Sequence, residues 1–280
     1  MEIPELLCVG FLCHDLHEGK HILGGTASYS SIMASHLGMS TAVLTSLGED
    51  FEFLTEFSNR HISLEIVPAA KTTLFENKYS EGIRTQLLHA RATTLEPIHL
   101  PTIWKEIPVV KFCLIADEVC QSFLNVFPNA LKAATIQGWL RQWDENGKVT
   151  AKEMNWELLA PLDIVFMSED DISGYDNAIP QIADLVDYLV MTQGKAGAVI
   201  YHQGNQFHFP SYPTKEIDPT GAGDIFAASF LYHFYKNRDL RLASAFAHAS
   251  ASCVVEHVGV HIPNIDEIHR RYAWYLKNMA

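Results

Sequence analysis

The sequence lacks any apolar segment long enough to cross a membrane, and it is short of basic residues. The densest early apolar stretch, residues 6–13, spans only a few positions and follows the acidic Glu2 and Glu5. It therefore predicts neither a membrane anchor nor a signal peptide. With 20 Lys and Arg against 33 Asp and Glu, the net charge of −13 would repel a nucleic-acid backbone. We expect no nucleic-acid partner and no membrane attachment.

Cysteine is also scarce, and its five positions form no C-x-x-C pair. An odd number of scattered cysteines excludes a regular disulfide framework, and most of them lie within apolar stretches. The 14 histidines show no H-E-x-x-H motif or other metal-ligand spacing. This pattern predicts buried, reduced thiols in a cytoplasmic protein without a recognisable zinc motif.

The remaining composition is that of an ordinary globular protein. The 280 residues are 48% hydrophobic and 19% charged, with 16 Gly and 12 Pro. Collagenous, disordered and coiled-coil classes are excluded by these proportions. The length favours one large domain, and we expect a single domain over residues 1–280.

Short apolar strands alternate with helical segments along most of the chain. This alternation predicts βαβ units and a mainly parallel sheet of the α/β class, with helices on both faces. Strands are predicted at residues 5–12, 41–46, 109–115, 133–137, 164–167, 188–192 and 198–202. Helices are predicted at residues 26–37, 51–60, 222–235, 240–257 and 265–279.

Residues 62–95 interrupt the alternation. Residues 72–79 and 83–89 flank the turn-like Ser80-Glu81-Gly82 and predict a β-hairpin insertion. A lid over a ligand and an edge ribbon or dimer contact are equally compatible with the pattern.

Residues 218–224 read D-P-T-G-A-G-D and directly precede a predicted helix. The two glycines allow backbone N–H groups to turn toward one point, and a helix start adds unpaired donors and a positive dipole. This arrangement suits a phosphate, and the adjacent Asp224 can accept a proton from an attacking hydroxyl. A Pro/Gly turn followed by an acid that favours the helix dipole is the structural alternative.

This segment resembles the C-terminal signature of the ribokinase-like (PfkB) sugar kinases. Three other segments support the resemblance in the expected order: Gly24-Gly25, the T-x-G-x-x-G turn of residues 192–197, and the small-residue helix at 246–251. The resemblance implies a ribokinase-like α/β/α sandwich with a small β lid. It also implies transfer of the γ-phosphoryl group of ATP to a sugar or polyol hydroxyl.

The resemblance implies a role for each matched position. Asp224 would be the general base, beside an anion hole formed by Gly221, Ala222 and Gly223. The acceptor would be bound by Asp15, Gly24, Gly25 and Tyr29, with Asn77 of the hairpin and Arg141 as further candidates. The nucleotide would lie along Ser168, Thr192, Gly194, Gly197 and His248. Asp171 would help to organise Mg²⁺, and Asp218 and Thr220 lie where some members hold a monovalent cation such as K⁺.

The sequence departs from the family pattern at two of these places. Ser168 and Asp171 replace the Asn and Glu of an N-x-x-E motif, and a capping Ser with acids in the first helical turn is the alternative interpretation. Tyr29 stands where ribokinase has Asn, which favours an inositol- or hexose-like polyol over ribose. A nucleoside kinase and a non-catalytic sugar or nucleotide sensor are the alternative functions. Either a monomer or a homodimer formed through the lid fits the sequence.

Overall fold

A nine-stranded sheet forms the centre of the computed structural model, which describes residues 3–80, 83–172, 174–175, 177–257 and 262–279. The strands, numbered in chain order, are β1 Leu6–Val9, β2 Cys13–His17, β3 Lys20–Gly24, β4 Thr41–Leu47, β5 Ser63–Pro68, β6 Leu74–Ser80, β7 Ile83–Ala90, β8 Val109–Cys113, β9 Leu131–Thr135, β10 Arg141–Trp143, β11 Val149–Ala151, β12 Ile164–Ser168, β13 Tyr188–Thr192, β14 Ala198–His202 and β15 Asn205–Phe209. The central sheet has the order β15-β14-β13-β12-β9-β8-β1-β4-β5. Neighbouring strands are parallel except at one edge, where β14 runs antiparallel to both β13 and β15.

Helices cover both faces of this sheet because its strands are apolar on both sides. The α-helices are α1 Thr26–His36, α2 Leu54–Ser58, α3 Ala178–Leu185, α4 Ala222–Asn237, α5 Leu240–Val254 and α6 Ile265–Asn278. Successive side chains of a strand point to opposite faces. Phe166 of β12 accordingly packs in one core cluster with Phe230 of α4, whereas Val165 packs in another with Ile182 of α3. The result is the predicted α/β/α arrangement.

A separate four-stranded sheet, here called the small sheet, has the order β3-β2-β6-β7. The antiparallel pair β6–β7 is the predicted hairpin, and residues 81 and 82 of its predicted turn lie outside the described residues. Strand β2 pairs in parallel with β6 and antiparallel with β3. The hairpin is therefore half of a larger sheet, and the other half comes from residues directly after the first central strand.

The boundaries of several elements differ from those expected. Strand β5 lies at the start of residues 62–95, which were expected to form only the insertion. It pairs instead with β4 in the central sheet. The strand expected at 133–137 lies at Leu131–Thr135, because Gln137–Leu140 forms a 3₁₀ turn. The helix expected at 51–60 is limited to Leu54–Ser58. Strands β2, β3, β10, β11 and β15 were not predicted, since their sequences carry too few regularly spaced apolar residues. Helix α3 was not predicted either, and at eight residues it is short for a helical pattern.

The structure also describes the helices and the cysteines of this chain. No helix in the described part of the chain has the length and apolarity that a membrane crossing requires. Cys8, Cys13, Cys113 and Cys253 are buried free thiols, and Cys120 is a free thiol on the surface.

Candidate active site

One cavity of about 630 Å³ lies between the carboxyl ends of the central strands and the small sheet. Ligand sites of open α/β sheets occur at this end of the strands. Most of the predicted site residues line it: Asp15, Gly25, Tyr29, Asn77, Arg141, Ser168, Thr192, Gly194, Gly197, Thr220, Gly221, Ala222, Gly223, Asp224 and His248. Gly24, Asp171 and Asp218 are not among the lining residues. The fold thus brings together residues from both ends of the chain.

Asp224 lies in the third helical position of α4, at the floor of the cavity. Burial raises the pKa of its carboxyl group, while the positive charge of Lys111, a hydrogen bond from Thr26 and the charge of Arg141 lower it. The carboxylate therefore faces the cavity in a poorly solvated environment, which strengthens its interaction with a proton. This is a suitable environment for a general base.

The first turn of α4 presents two glycines with different local functions. Gly221 caps the helix with a φ of +77°, in the left-handed region, and a Cβ there would collide with the ring of Tyr29. Gly223 has open space where a Cβ would be, with no described atom within 4 Å. The N–H of Ala222 donates to the carbonyl of Pro219. Binding of an anion is therefore left chiefly to the other N–H groups of this turn.

A buried lysine lies among the groups that act on Asp224. Lys111 of β8 is fully buried, and its Nζ donates a hydrogen bond of 2.7 Å to Oγ of Ser30 in α1. Its charge is the largest electrostatic influence that lowers the Asp224 pKa. The sequence analysis missed Lys111, although a lysine in the middle of an apolar strand is an unusual enough signal to find it.

Asp15 reaches the cavity from β2, and two glycines make room around it. A Cβ on Gly24 would collide with the Asp15 carboxylate, so this glycine shapes the site without lining it. Gly25 adopts a φ of +94° at the start of α1, where a Cβ would approach the carbonyl oxygen of Phe11 at 2.6 Å. The di-glycine therefore sets the position of Asp15 and of the first turn of α1.

The small sheet contributes an amide pair to the same end of the cavity. Nε2 of Gln86 in β7 donates to Oδ1 of Asn77 in β6 at 3.1 Å, and both side chains line the cavity. Arg141 lies opposite, with its Nη1 donating to the carbonyl of Ile115 at 3.3 Å. Gln86 was predicted as a polar residue of the hairpin but not as a site residue, and the β6–β7 pairing places it opposite Asn77.

The acidic segment after β12 is arranged differently from the expectation. The Asp171 carboxylate accepts hydrogen bonds from the backbone N–H and the hydroxyl of Ser168, each at 2.8 Å, and from Nε2 of Gln137 at 2.9 Å. Asp170, not Asp171, lines the cavity. The Ser168 hydroxyl is a donor in these contacts, whereas a capping serine accepts a hydrogen bond from a backbone N–H. The metal role of Asp171 stays a prediction.

The opposite end of the cavity is formed by Thr192, Gly194, Gly197 and the region after β15. A Cβ on Gly197, whose φ is +106°, would collide with the carbonyl oxygen of Phe209. His248 of α5 is buried and stacks on Tyr275 at 5.7 Å between ring centroids. Burial lowers the pKa of His248 to about 4, so its ring is neutral at pH 7.

The remaining predicted cation residues lie just before α4. Oδ1 of Asp218 accepts a hydrogen bond from the backbone N–H of Thr220 at 2.9 Å, and the Asp218 N–H donates to the carbonyl of Val255 at 3.1 Å. These bonds hold the loop in front of the helix. A monovalent-cation role for Asp218 and Thr220 stays a prediction.

Comparisons with known proteins match nearly the whole chain to the kinase family that the sequence motifs resemble. A family model described as pfkB family carbohydrate kinase matches residues 13–267. The inositol 3-kinase of Arabidopsis thaliana is 26% identical over 277 residues, which cover 91% of this chain and 74% of that protein.

Two solved structures of kinases share the fold. One is a pyrophosphate-dependent kinase in the ribokinase family, complexed with a pyrophosphate analog and myo-inositol. It has a TM-score of 0.79 at 21% identity, and the match covers 94% of this chain and 99% of that chain. The Arabidopsis thaliana ribokinase complexed with ribose and ATP has a TM-score of 0.76 at 18% identity, with 97% and 99% covered. The fold is therefore ribokinase-like, as the sequence predicted. This chain belongs to the pfkB family of carbohydrate kinases, which are phosphotransferases that act on hydroxyl acceptors.

Proposed function

We propose that this chain transfers the γ-phosphoryl group of ATP to a hydroxyl of an inositol- or hexose-like polyol, with Asp224 as the general base. The observation that carries the proposal is the single cavity in which Asp224 and the first turn of α4 lie between a polar acceptor end and a separate donor end. A phosphoryl transfer needs this order, because the attacking oxygen, the phosphorus and the leaving oxygen lie nearly in line.

In the proposed reaction, the Asp224 carboxylate accepts the proton of the acceptor hydroxyl while that oxygen forms a bond to the γ-phosphorus. The bond from the γ-phosphorus to the bridging oxygen breaks, and ADP leaves with the electron pair. The N–H groups at the start of α4 stabilise the negative charge on the equatorial phosphate oxygens. Arg141 lies at the same cavity and can add a positive charge.

The family implies Mg²⁺, and the acidic segment after β12 offers oxygen ligands for it. Asp170 lines the cavity, and Ser168 presents its hydroxyl beside it. Oxygen atoms of this kind suit a hard cation. When bound, Mg²⁺ would neutralise phosphate charge, and the residues Ser168, Asp170 and Asp171 would hold it directly or through water.

The acceptor end favours a polyol because its polar groups are hydrogen-bond donors and acceptors on several sides. Asp15, the Asn77–Gln86 amide pair and Arg141 all face the cavity. A ring with several adjacent hydroxyls can form hydrogen bonds with such groups together, whereas an apolar ligand offers them none. The inositol 3-kinase relative agrees with this choice. The walls formed by Tyr29 and Phe75 keep nucleosides as the second candidate class.

The donor end favours ATP over pyrophosphate. The cavity continues beyond the first turn of α4 to Tyr212, Thr214, Ser252 and Val255. A pyrophosphate would not need this extension. The neutral ring of His248 borders this extension, and a neutral ring suits the uncharged nucleobase of ATP better than it suits a further phosphate.

The test is a two-dimensional screen of the purified protein. ATP and pyrophosphate are each offered with myo-inositol, fructose, ribose, adenosine and cytidine, and phosphorylated acceptor is detected by mass spectrometry. We expect product with ATP and a polyol. Product only with pyrophosphate would contradict the donor, and product only with nucleosides would contradict the acceptor class. Ligand binding without any turnover would favour a sensor.

We further propose that the small sheet acts as a lid over the acceptor, and Asn77 tests this. Asn77→Ala should raise KM for the acceptor by about tenfold, with a smaller change in kcat, because it removes a hydrogen bond made to the bound ground state as well as to the transition state. Steady-state kinetics at saturating ATP measure the effect.

Lys78 provides the matched control, since it is the next residue of β6 and its side chain is 57% exposed. Lys78→Ala should leave KM unchanged. Equal KM values for the Asn77 variant and the parent would remove the small sheet from acceptor binding.

The buried Lys111 leads to a prediction about pH. A base must be deprotonated to act, so activity falls as pH drops through the pKa of Asp224. Lys111→Met preserves the apolar stem but removes the charge that lowers this pKa. The acidic limb of kcat/KM should therefore move to higher pH, by roughly one unit. The measurement is the pH profile of kcat/KM between weakly acidic and neutral pH.

The exposed Lys105 provides a control for this experiment, because Lys105→Met removes the same charge far from the cavity. Its acidic limb should match that of the parent. An unchanged limb in the Lys111 variant, with the fold intact, would show that Lys111 does not influence the base.

A further inference from the structure

Three residues outside the active-site cavity place potential metal ligands close together. His14 of β2, His21 of β3 and Glu52 of the loop between β4 and α2 each offer one ligand atom, and these atoms lie within 4.8 Å of one another. His14 lies opposite Leu23 and His21 opposite Leu16 in the β2–β3 pair. The two histidines are therefore diagonal neighbours on the same face of the small sheet.

His14 is an unusual residue for the interior. Its exposed fraction is 1%, and its Nε2 has no hydrogen-bond partner among the described residues. The ring stacks on His21 at 4.4 Å between centroids and on Phe51 at 5.4 Å. A buried imidazole nitrogen without a partner is costly unless a ligand completes it.

His21 and Glu52 already form the outer part of the cluster. Nδ1 of His21 and Oε1 of Glu52 are 2.8 Å apart, with side chains that are 31% and 59% exposed. The loop that carries Glu52 is held in place, since Asp50 accepts hydrogen bonds from the N–H and hydroxyl of Thr72 at 2.9 and 2.8 Å. A cation can reach this pair from solvent, and its binding through Nδ1 of His21 would replace the hydrogen bond between the two side chains.

We propose that His14, His21 and Glu52 form a divalent transition-metal site, of the class that binds Zn²⁺, which fastens the β2–β3 half of the small sheet to the body of the protein. Two imidazoles and one carboxylate suit Zn²⁺ better than Mg²⁺, which prefers an all-oxygen environment. Water completes the coordination. The two rings are nearly parallel, at 11°, so His21 turns about its side-chain bonds to aim its lone pair at the ion.

The site acts on the same strand that carries the candidate acceptor residue. Asp15 follows His14 in β2 and projects to the opposite face, into the active-site cavity. A metal ion at His14 would thus restrain β2 on the face that points away from the active-site cavity. The site itself does not depend on the proposed function, because metal binding is measured without substrate.

The test uses chelator-treated protein in a Cys120→Ser background, which removes the exposed thiol as a competing ligand. Isothermal titration with Zn²⁺ and the visible absorption of bound Co²⁺ measure binding, and the melting temperature with and without Zn²⁺ measures stabilisation. His21→Ala and Glu52→Gln are chosen because both side chains are partly exposed and their loss should not prevent folding. His17→Ala is the control, because His17 is an exposed residue of β2, the strand that carries His14.

We expect one Zn²⁺ per chain that excess Mg²⁺ does not displace, and a higher melting temperature with Zn²⁺. His21→Ala and Glu52→Gln should each weaken Zn²⁺ binding by about 100-fold or more and abolish the stabilisation, whereas His17→Ala should do neither. Hydrogen exchange in β2 and β3 should slow when Zn²⁺ is added. Absence of Zn²⁺ binding to the parent, or equal affinity in the parent and both ligand variants, would overturn the proposal.

Discussion

Asp224→Asn should lower kcat by about 10²–10⁴-fold while leaving ATP binding nearly unchanged. Asn has nearly the same shape and can still accept the hydrogen bond from Thr26, but it cannot take a proton from the acceptor hydroxyl. The loss should appear in kcat more than in KM, because the proton moves only as the transition state forms. Steady-state kinetics and nucleotide titration separate the two.

Asp266→Asn is the matched control. Asp266 lies in the first turn of α6, as Asp224 lies in the first turn of α4, but Asp266 is exposed and Asp224 is not. The Asp266 variant should retain parental kcat. The Asp224 variant should melt within a few degrees of the parent, because burial already disfavours the charged form of that carboxyl group. Turnover within a few-fold of the parent would remove Asp224 from the role of base.

Gly223→Val should reduce turnover by at least about 10²-fold without harming the fold. The position of its absent Cβ is open, so a branched side chain would occupy space in the cavity where the phosphate approaches the N–H groups. Valine is no worse than glycine inside a helix, so the melting temperature should hold. The kinetic loss should exceed that of Asp171→Ala, because water could replace in part the cation contacts proposed for Asp171.

Two further variants identify the cause. Gly223→Ala should give an intermediate loss, since it adds one methyl group to the same space. Gly221→Val should instead destabilise the protein, because the left-handed φ and the ring of Tyr29 exclude a side chain there. If Gly223→Val turns over normally, the phosphate binds elsewhere.

Local sequence determined the parts of the fold that depend on neighbouring residues. The apolar strands and their intervening helices were predicted because buried strands and helices have distinct short-range patterns. Residues 218–224 predicted a helix start with an anion site for the same reason: glycines and a helix N-terminus act within a few residues. The order of the glycine motifs was then enough to indicate the family.

Tertiary structure decided what depends on distant residues. Strands β2 and β3 have five residues each and contain three histidines between them, so neither has a long apolar run. They become part of a sheet through the pairing of β2 with both β3 and β6. The engagement of Asp171 by Gln137, 34 positions away, likewise has no local signature.

The histidines show most clearly what local sequence leaves open and tertiary structure decides. By spacing alone none belongs to a metal motif, yet the sheet pairing brings His14 and His21 together and the loop after β4 adds Glu52. Lys111 is the same case, since its partner Ser30 lies 81 positions earlier. The sequence by itself therefore determined the class of fold, the family and the glycine turn at the start of α4, because these follow from short-range patterns. The environment of Asp224, the composition of the small sheet and the His14 cluster were decided only when parallel strands brought remote segments into contact, because burial and charge act through space and not along the chain.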